Sequence, residues 1–301
     1  MQITHLRHNQ IDKEKWDATI ANAANCRIYA LSWYLDIVSP GWEALVTEEY
    51  QYVMPLPVKK KFGFAYLVQP VLCQQLGIFS KNVADNQVIA RFICKIPYKR
   101  YNLQFNAQNV VSSAVIRKNY ILPLNLSYEQ IRSSFSKNAI RNIAKSESKD
   151  LIVTNKIEYK EFRQLMSTAS LHYQPHILKI LDKIWTASFQ HNMVEILGVY
   201  KCKTLVSACL LLSFNNRIYY LAPVSSPAGK EVAAMFSILN TFIRENAGQS
   251  VILDFEGSMI ENVARFYAGF GAISEDYYLV SKETFTGSIL KYCKRLLFTK
   301  V

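Results

Sequence analysis

The sequence lacks an apolar run that could span a membrane. Although 50% of its 301 residues are hydrophobic, no stretch reaches the roughly 18–20 residues that a bilayer requires. The opening residues, MQITHL, lack the charged start and apolar core of a secretory signal. We therefore expect a globular protein that works in the cytoplasm.

Paired cysteine motifs are absent as well. No two of the six cysteines stand in a C-x-x-C arrangement, and no histidines follow them at zinc-finger spacing. Most of the cysteines lie in apolar segments, which predicts reduced thiols in a hydrophobic core. His172 and His176 are close in sequence, but no carboxylate or cysteine nearby completes a ligand set. The sequence therefore predicts no metal site.

Negative charge is scarce. The chain has 23 acidic against 35 basic residues, which gives a net charge of +12. A positive excess favours anionic partners, among them nucleic acids, nucleotide cofactors and acidic membrane surfaces. The charge alone does not choose among these three classes.

The stretch LDFEGSMIENVARFYAGFGA, residues 253–272, holds the first candidate site. Its pattern predicts a buried strand, a tight turn, and a short helix that begins at a capping box of Ser258 and Glu261. Asp254 and Glu256 are two residues apart in an extended segment, so both carboxylates should point to one side. They follow a strand at its carboxyl end, where open α/β sheets place ligands. Both are candidate catalytic bases; the alternative is a structural role at the turn and helix start.

A strand, a loop and a helix precede that stretch. The apolar strand of residues 217–224 leads into the small-residue loop 225–230, and a helix follows. The N-terminus of such a helix offers unbonded backbone N–H groups to an anion. An ordinary connection between strand and helix is the alternative. The residues that would hold an anionic ligand here are Pro223, Val224, Ser225, Gly229 and Lys230.

The first half of the chain contains candidate substrate-binding residues. Trp33 and Tyr34 lie in an aromatic cluster, and Gln74 and Gln75 form an amide pair inside an apolar segment. Buried amides need hydrogen-bond partners. The pair therefore belongs either to a structural network or to a site that recognises a substrate.

A basic stripe occupies the middle of the chain. Residues 128–148 are predicted to be helical with a break near Ser136, and Lys137, Arg141 and Lys145 are spaced four residues apart. This spacing places all three on one helix face. The stripe is either a solvated face or a surface that contacts phosphates.

The sequence also contains an internal repeat. Segment 66–71, YLVQPV, is similar to 220–224, YLAPV, and segment 101–106, YNLQFN, is similar to 251–256, VILDFE. A helix is predicted between the two strands of each copy, as in a βαβ unit. The repeat predicts an α/β protein with two related domains.

We predict the domains to be residues 1–145, which end in the basic helix, and residues 146–301. Residues 287–299 within the second domain have the pattern of an amphipathic basic helix. We expect this helix to pack back on the N-terminal domain. Peripheral contact with an anionic membrane is the alternative.

The order of these motifs resembles the GNAT acyltransferase fold, and the duplication resembles the bacterial FemA/FemB/FemX peptidyltransferases. Residues 136–145, SKNAIRNIAK, are similar to the S-x-N-x-R-R-N-I-K-K-A segment of that family. LDFEGS at 253–258 is similar to its F-D-F-x-G-[ST] strand, and FYAGFG at 266–271 is similar to its F-K-x-G-F-G. The resemblance implies a tandem duplicated, GNAT-like α/β fold with a mixed sheet.

Three departures from the family pattern concern the activity. The usual lysine after the phenylalanine is Tyr267, and the acetyl-CoA loop Q/R-x-x-G-x-G/A is missing. The tyrosine that many GNAT enzymes place four residues before the closing Gly-Phe is Arg265. Tyr267 is therefore the candidate acid in this sequence.

The resemblance implies an N-acyltransferase in which an amine attacks an activated acyl carbon directly. The site must then supply a base for the amine, an acid for the leaving group and hydrogen-bond donors for the oxyanion. The donor would be an aminoacyl-tRNA, as the FemX resemblance implies, or an acyl-CoA such as acetyl-CoA, as the wider fold implies. The alternative is a non-catalytic protein that binds a nucleotide, RNA or a lipid-linked cell-wall precursor.

Overall fold

A computed structural model describes residues 1–61, 63–169 and 174–282. Its strands, in chain order, are β1 Ile3–Leu6, β2 Glu43–Thr47, β3 Tyr52–Leu56, β4 Val58–Lys61, β5 Phe64–Val68, β6 Phe79–Ser80, β7 Tyr101–Phe105, β8 Val115–Pro123, β9 Leu151–Thr154, β10 Val194–Lys201, β11 Thr204–Phe214, β12 Arg217–Ser225, β13 Ile252–Asp254 and β14 Ile273–Lys282. Its α-helices are α1 Lys13–Asn22, α2 Ser32–Val38, α3 Asn86–Lys95, α4 Tyr128–Ser133, α5 Lys137–Glu147, α6 Tyr159–Ala169, α7 Pro175–Gln190, α8 Pro227–Glu231, α9 Ala234–Asn246 and α10 Glu261–Ala268. The predicted α/β class with mixed sheets is confirmed.

The chain divides into two compact units. Among the described residues, unit 1 comprises 1–117 and 277–282, and unit 2 comprises 118–276. The boundaries of these units fall within β8 and within β14. The predicted boundary after residue 145 concerns the two duplicated domains and differs from the boundaries of these compact units. That boundary stays a prediction.

Unit 1 contains two sets of paired strands. One set is antiparallel, in the order β1-β2-β3-β6, and the other runs β4-β5-β7-β14 with a parallel pair between β5 and β7. Helix α3 begins at the N-cap Asp85, whose carboxylate accepts from the Val88 N–H at 2.8 Å. It buries Ile89 and Phe92 in the core of the unit. A strand, a helix and a parallel strand thus follow one another here, as the repeat predicts.

Unit 2 is built on strands in the order β8-β13-β12-β11-β10-β9. Among the described strands of this unit, β12 and β13 are the pair that runs in parallel, and the chain between them forms α8 and α9. Helices α5, α9 and α10 contribute apolar side chains to one core cluster, which includes Ile143, Ile238 and Tyr267. The second copy of the strand–helix–strand order is therefore also present.

Polar side chains cap two of the helices. Asp12 caps α1, where its carboxylate accepts from the Lys15 N–H at 3.1 Å. The predicted break at Ser136 separates α4 from α5, because the Ser136 hydroxyl caps α5 and accepts from the Ala139 N–H at 3.1 Å. Side chains that bond their own backbone in this way end one helix and start the next.

Two local predictions are wrong. The Ser258 hydroxyl accepts from the Ile260 N–H at 2.9 Å, so α10 begins at Glu261 without the predicted capping box. Among the described cysteines, Cys73 and Cys209 are buried as predicted and Cys26 is half-buried, but Cys94 and Cys202 are exposed. Each of these two thiols lies on a polar part of its element, the outer face of α3 and the β10–β11 turn. A short apolar segment in sequence therefore did not imply burial.

Other predictions concern residues that lie outside the described part of the chain. The C-terminal helix of residues 287–299 is one of them, and His172 is another. His176 is described, and it is exposed in the first turn of α7.

Candidate functional site

The parallel strands of unit 2 diverge at the predicted site. Pairing joins Arg217–Tyr219 of β12 to Ile252–Asp254 of β13, where β13 ends. Strand β12 continues six residues further, to Ser225, paired with β11 on its other side. We call this point the strand divergence. Ligands of α/β proteins bind where neighbouring parallel strands part at their carboxyl ends.

A β-bulge directs β12 away from β13 beyond that point. The register passes from Leu210↔Leu221 to Ala208↔Val224, so β12 has one residue more than β11 in this interval. Ala222 accommodates it with a φ of +50°. Bulges bend a strand and interrupt its pairing. This one sets the direction of Pro223, Val224 and Ser225, three of the residues predicted to hold the donor.

The loop before α8 bonds its own backbone. The Ser226 hydroxyl accepts from the Gly229 N–H at 3.1 Å, and Pro227 has no N–H to offer. The Ser225 and Ser207 hydroxyls lie 2.7 Å apart, and Lys230 is exposed. An anion would have to displace the Ser226 hydroxyl to reach the Gly229 N–H. Ligand contacts of this loop stay predictions.

Packing explains the glycine of this loop. A Cβ atom at Gly229 would lie 2.2 Å from the backbone oxygen of Val206. A contact this short with backbone cannot be relieved by a side-chain rotation, so α8 must sit against β11 with no side chain between them. The close approach requires a glycine whether or not a ligand binds.

We therefore expect Gly229→Ala to lower the free energy of unfolding by about 1–3 kcal/mol, as overpacking of a filled site does. Urea denaturation of the purified protein measures the loss. Lys230→Ala, at the exposed neighbouring position, is the matched control and should change stability little. Equal stability of Gly229→Ala and the wild type would contradict the packing explanation.

Asp254 is the centre of a buried ion-pair cluster. Its side chain has no exposed area, and its Oδ2 atom accepts from Arg217 Nη1 at 2.5 Å. Its Oδ1 atom accepts from Asn119 Nδ2 at 3.0 Å and from the Glu256 N–H at 2.9 Å. Glu275 completes the cluster, 3.4 Å from Arg217 Nη2. Both carboxylate oxygens of Asp254 are therefore engaged by protein donors.

The charge of Arg217 is secured by this cluster. Burial lowers the pKa of its guanidinium, but the carboxylates of Asp254 and Glu275 raise that pKa further, so it lies above its ordinary value. Arg217 stays protonated at every physiological pH.

Glu256 has an unusual backbone conformation. Its φ is +55° and that of Gly257 is +67°, so two consecutive residues occupy the left-handed region. The bond from its N–H to Asp254 helps to hold this conformation. The prediction that both carboxylates leave an extended chain on one side is therefore wrong for Glu256. A non-glycine residue held in this region is uncommon and accompanies functional sites.

Tyr267 lies in the aromatic core of unit 2. Its side chain is 6% exposed, and its ring stacks on Phe255 with centroids 4.5 Å apart. The Tyr220 ring lies 6.2 Å away in an edge contact. These contacts fix the direction of the Tyr267 hydroxyl, whose predicted role as an acid is untested.

The candidate residues of unit 1 belong to a polar network. The Tyr34 hydroxyl donates to the Leu72 carbonyl, and the Trp33 and Tyr34 rings are 5.3 Å apart. Gln75 is fully buried. It donates to Gln74 Oε1 at 2.8 Å and accepts from Arg27 Nη2 at 3.4 Å. The amide pair thus has structural partners; its role in binding a substrate stays a prediction.

The basic stripe lies on one exposed face, as predicted. Lys137, Arg141 and Lys145 are all exposed on α5, while Ala139 and Ile143 are buried against the core. The stripe adds three positive charges to the surface of unit 2.

Sequence analysis missed most of the cluster around Asp254. Asn119 lies 135 residues from Asp254 in the chain and Arg217 lies 37 residues away. A charged residue at the start of the apolar segment RIYYLAPV was the one available signal. Charged side chains are almost never buried unless they are paired.

Two features are absent from the described residues. In that part of the chain, no three or more His, Cys, Asp or Glu side chains form a group that could hold a metal ion. None of the described helices is both long enough and apolar enough to cross a bilayer.

The fold was compared with known proteins. No protein-family model matches the sequence, and no curated protein sequence matches it. The crystal structure of FemX is similar over 99% of this chain and 100% of its own, with 13% identity and a TM-score of 0.66. L-PGS from Bacillus licheniformis is similar over 94% and 96%, with 11% identity and a TM-score of 0.53.

A tandem GNAT protein from the clavulanic acid biosynthesis pathway is also similar. It covers 94% of this chain and 99% of its own, with 10% identity and a TM-score of 0.51. Similarity at these identities establishes the fold and leaves the reaction open. The chain therefore has the tandem GNAT-like fold that FemX has, as its sequence motifs predicted.

Proposed function

We propose that this protein is an N-acyltransferase that moves an acyl or aminoacyl group from an activated donor to an amine. The strand divergence carries the proposal, because β12 and β13 part there beside a bulge, in a fold shared with FemX and a tandem GNAT protein. Direct attack by the amine needs no enzyme nucleophile. It needs a base, an acid and oxyanion donors.

We assign the base to Glu256 and give Asp254 a positioning role. Glu256 is half-buried at the end of β13, where a carboxylate can still reach a bound amine. Asp254 is fully buried with both oxygens engaged, so it acts through the Glu256 backbone that it bonds. Tyr267 stays the proposed acid, held in place by its stack on Phe255.

An aminoacyl-tRNA is the donor that we favour over an acyl-CoA. A CoA pyrophosphate would need N–H groups at the loop before α8, and the Gly229 N–H there is already bonded to Ser226. The basic stripe of Lys137, Arg141 and Lys145 and the net charge of +12 instead fit the phosphates of a nucleic acid. The resemblance to FemX supports the same donor.

The acceptor is proposed to carry a free amine. The network of Trp33, Tyr34, Gln74 and Gln75 in unit 1 is a candidate for binding part of it. Lipid-linked acceptors at an anionic membrane surface would also suit the positive charge of the chain.

A transfer assay with labelled donors tests this proposal. A pool of labelled aminoacyl-tRNAs and labelled acetyl-CoA are each incubated with the protein and a panel of amine acceptors. We expect label to pass from tRNA to an acceptor. Replacing Lys137, Arg141 and Lys145 together with Gln should weaken tRNA binding by about tenfold or more and flatten its salt dependence, because fewer counterions are released.

The matched control replaces three exposed lysines elsewhere, Lys59, Lys60 and Lys61 in β4, with Gln. It has the same net charge as the stripe variant. An equal loss of tRNA affinity in both variants would show that the net charge, and not the basic stripe, determines binding. Tight tRNA binding with no transfer to any acceptor would favour the alternative, a GNAT-like protein that binds an anionic ligand without turnover.

A further inference from the structure

One cavity in unit 2 is not explained by acyl transfer. It has a volume of about 260 Å³ and lies between α5, α9 and the start of β9. Its polar lining includes Glu147, Lys149, Ser237, Asn240 and Arg244. We call it the α5–α9 cleft. Neither Glu256 nor Tyr267 lines it.

Helix α9 carries a polar stripe into this cleft. The helix is otherwise mostly apolar, with the sequence AMFSILNTFIREN. Ser237, Asn240 and Arg244 recur at the three- and four-residue spacing that places them on one face. Asn240 is buried, Ser237 is half-buried and Arg244 is exposed, so the Asn240 amide is the group of this stripe that most needs a hydrogen-bond partner.

Asn240 is the most informative member of that stripe. It is 4% exposed, and its Oδ1 atom accepts from the Tyr128 hydroxyl at 2.7 Å. Asn240 lines the cleft, and among the described residues no acceptor bonds its Nδ2 group. A buried amide with its donor end open to a cavity is a site for an acceptor atom.

The remaining polar groups of the cleft also suit an acceptor with negative charge. The Arg244 guanidinium and the Lys149 ammonium are donors only, and Ser237 adds a hydroxyl. Two cations line the cleft against one carboxylate, that of Glu147. A cavity of this volume holds much more than one water, whose share of liquid volume is about 30 Å³.

From this arrangement, we infer that the α5–α9 cleft binds a phosphate group through Asn240, Arg244 and Lys149. The phosphate belongs either to a nucleic-acid backbone or to a free phosphate or small phosphate ester. Lys145 of the basic stripe precedes Lys149 by four residues, so positive charge continues along the chain towards the cleft. The inference goes beyond acyl transfer and does not depend on it.

Inorganic phosphate is the first probe. Thermal melting of the full chain is followed against phosphate concentration, with sodium chloride at equal ionic strength as the reference. We expect a saturable rise of the melting temperature for the wild type. Arg244→Gln and Asn240→Asp should each weaken phosphate binding by about tenfold or more, the usual effect of losing a hydrogen bond to a charged group.

Three variants separate binding from structure. Asn240→Asp keeps the oxygen that Tyr128 bonds but replaces the donor with a carboxylate. Glu147→Gln removes the opposing charge, so we expect it to tighten phosphate binding, whereas damage to the fold would weaken it. Lys183→Gln, at an exposed position of α7, should bind phosphate as the wild type does.

A short RNA oligonucleotide distinguishes the two sources of the phosphate. If the cleft binds a backbone phosphate, the RNA should displace inorganic phosphate. Asn240→Asp should then lower the affinity for the RNA as well. If it takes a small phosphate, the RNA should leave phosphate binding unchanged. A melting temperature that does not respond to phosphate, or equal phosphate affinity in the wild type, Arg244→Gln and Glu147→Gln, would overturn the inference.

Discussion

Replacing Asp254 with Ala is expected to lower the free energy of unfolding by about 3 kcal/mol. Removal of one partner from a buried ion pair costs about 3–5 kcal/mol, because the other charge stays buried without compensation. Here Arg217 would remain only 11% exposed, and Asn119 and the Glu256 N–H would lose their acceptor. Glu275 still lies near Arg217, so we expect the lower end of that range.

Urea denaturation gives the measurement, with the midpoint expected to fall and the slope to stay constant. Glu261→Ala is the matched control, because its carboxylate bonds Arg265 at 2.6 Å on the exposed surface and such pairs contribute little. The double variant Asp254→Leu, Arg217→Met should lose less stability than Asp254→Ala, since it leaves no unpaired guanidinium. The Glu275 carboxylate, which loses Arg217, keeps its hydrogen bond from Asn119 at 3.2 Å. A loss below about 1 kcal/mol for Asp254→Ala would show that the cluster is not a buried ion pair in solution.

Replacing Glu256 with Gln is expected to lower turnover by about 100-fold or more, the usual contribution of a positioned base. The two side chains have nearly the same shape, and Glu256 is only half-buried. The backbone bond from its N–H to Asp254 is also unaffected by the change. We therefore expect the melting curve and the affinity for the donor to stay close to those of the wild type.

Steady-state kinetics at saturating donor measure this effect once the transfer assay has identified an acceptor. Glu261→Gln, the next carboxylate along the chain and exposed, should keep full turnover. Glu256→Gly should lose turnover to the same extent without losing stability, because glycine adopts a φ of +55° at no steric cost. Wild-type turnover in Glu256→Gln would return both carboxylates to a structural role and favour the binding-protein alternative.

Positions decided by local pattern were predicted well. The two parts of the helical stretch at 128–148 are separated at Ser136, whose hydroxyl caps α5. The face shared by Lys137, Arg141 and Lys145 follows from their spacing alone. Each of these features depends on residues within a few positions in the chain, and the repeated strand–helix–strand order is equally local.

Positions decided by competition between nearby groups were predicted poorly. Ser258 was expected to cap a helix, but its hydroxyl bonds the Ile260 N–H first, so the helix starts later. Glu256 was expected to be extended, but its N–H donates to the Asp254 carboxylate and its backbone adopts a left-handed conformation. The sequence offers several possible partners in each case, and only the geometry of the folded chain selects one.

The sequence by itself determined the α/β class, the duplicated order of elements and the place of the candidate site after a buried strand. It did so because hydrophobic period and turn chemistry act over short stretches of chain. The tertiary structure decided that the carboxylate of Asp254 is buried and that Glu256 is only half-buried. The Arg217–Asp254 pair depends on the parallel register of β12 and β13, and the requirement for glycine at position 229 depends on the approach of α8 to Val206. Contacts between distant segments exist only once the sheet has formed, so no local pattern records them.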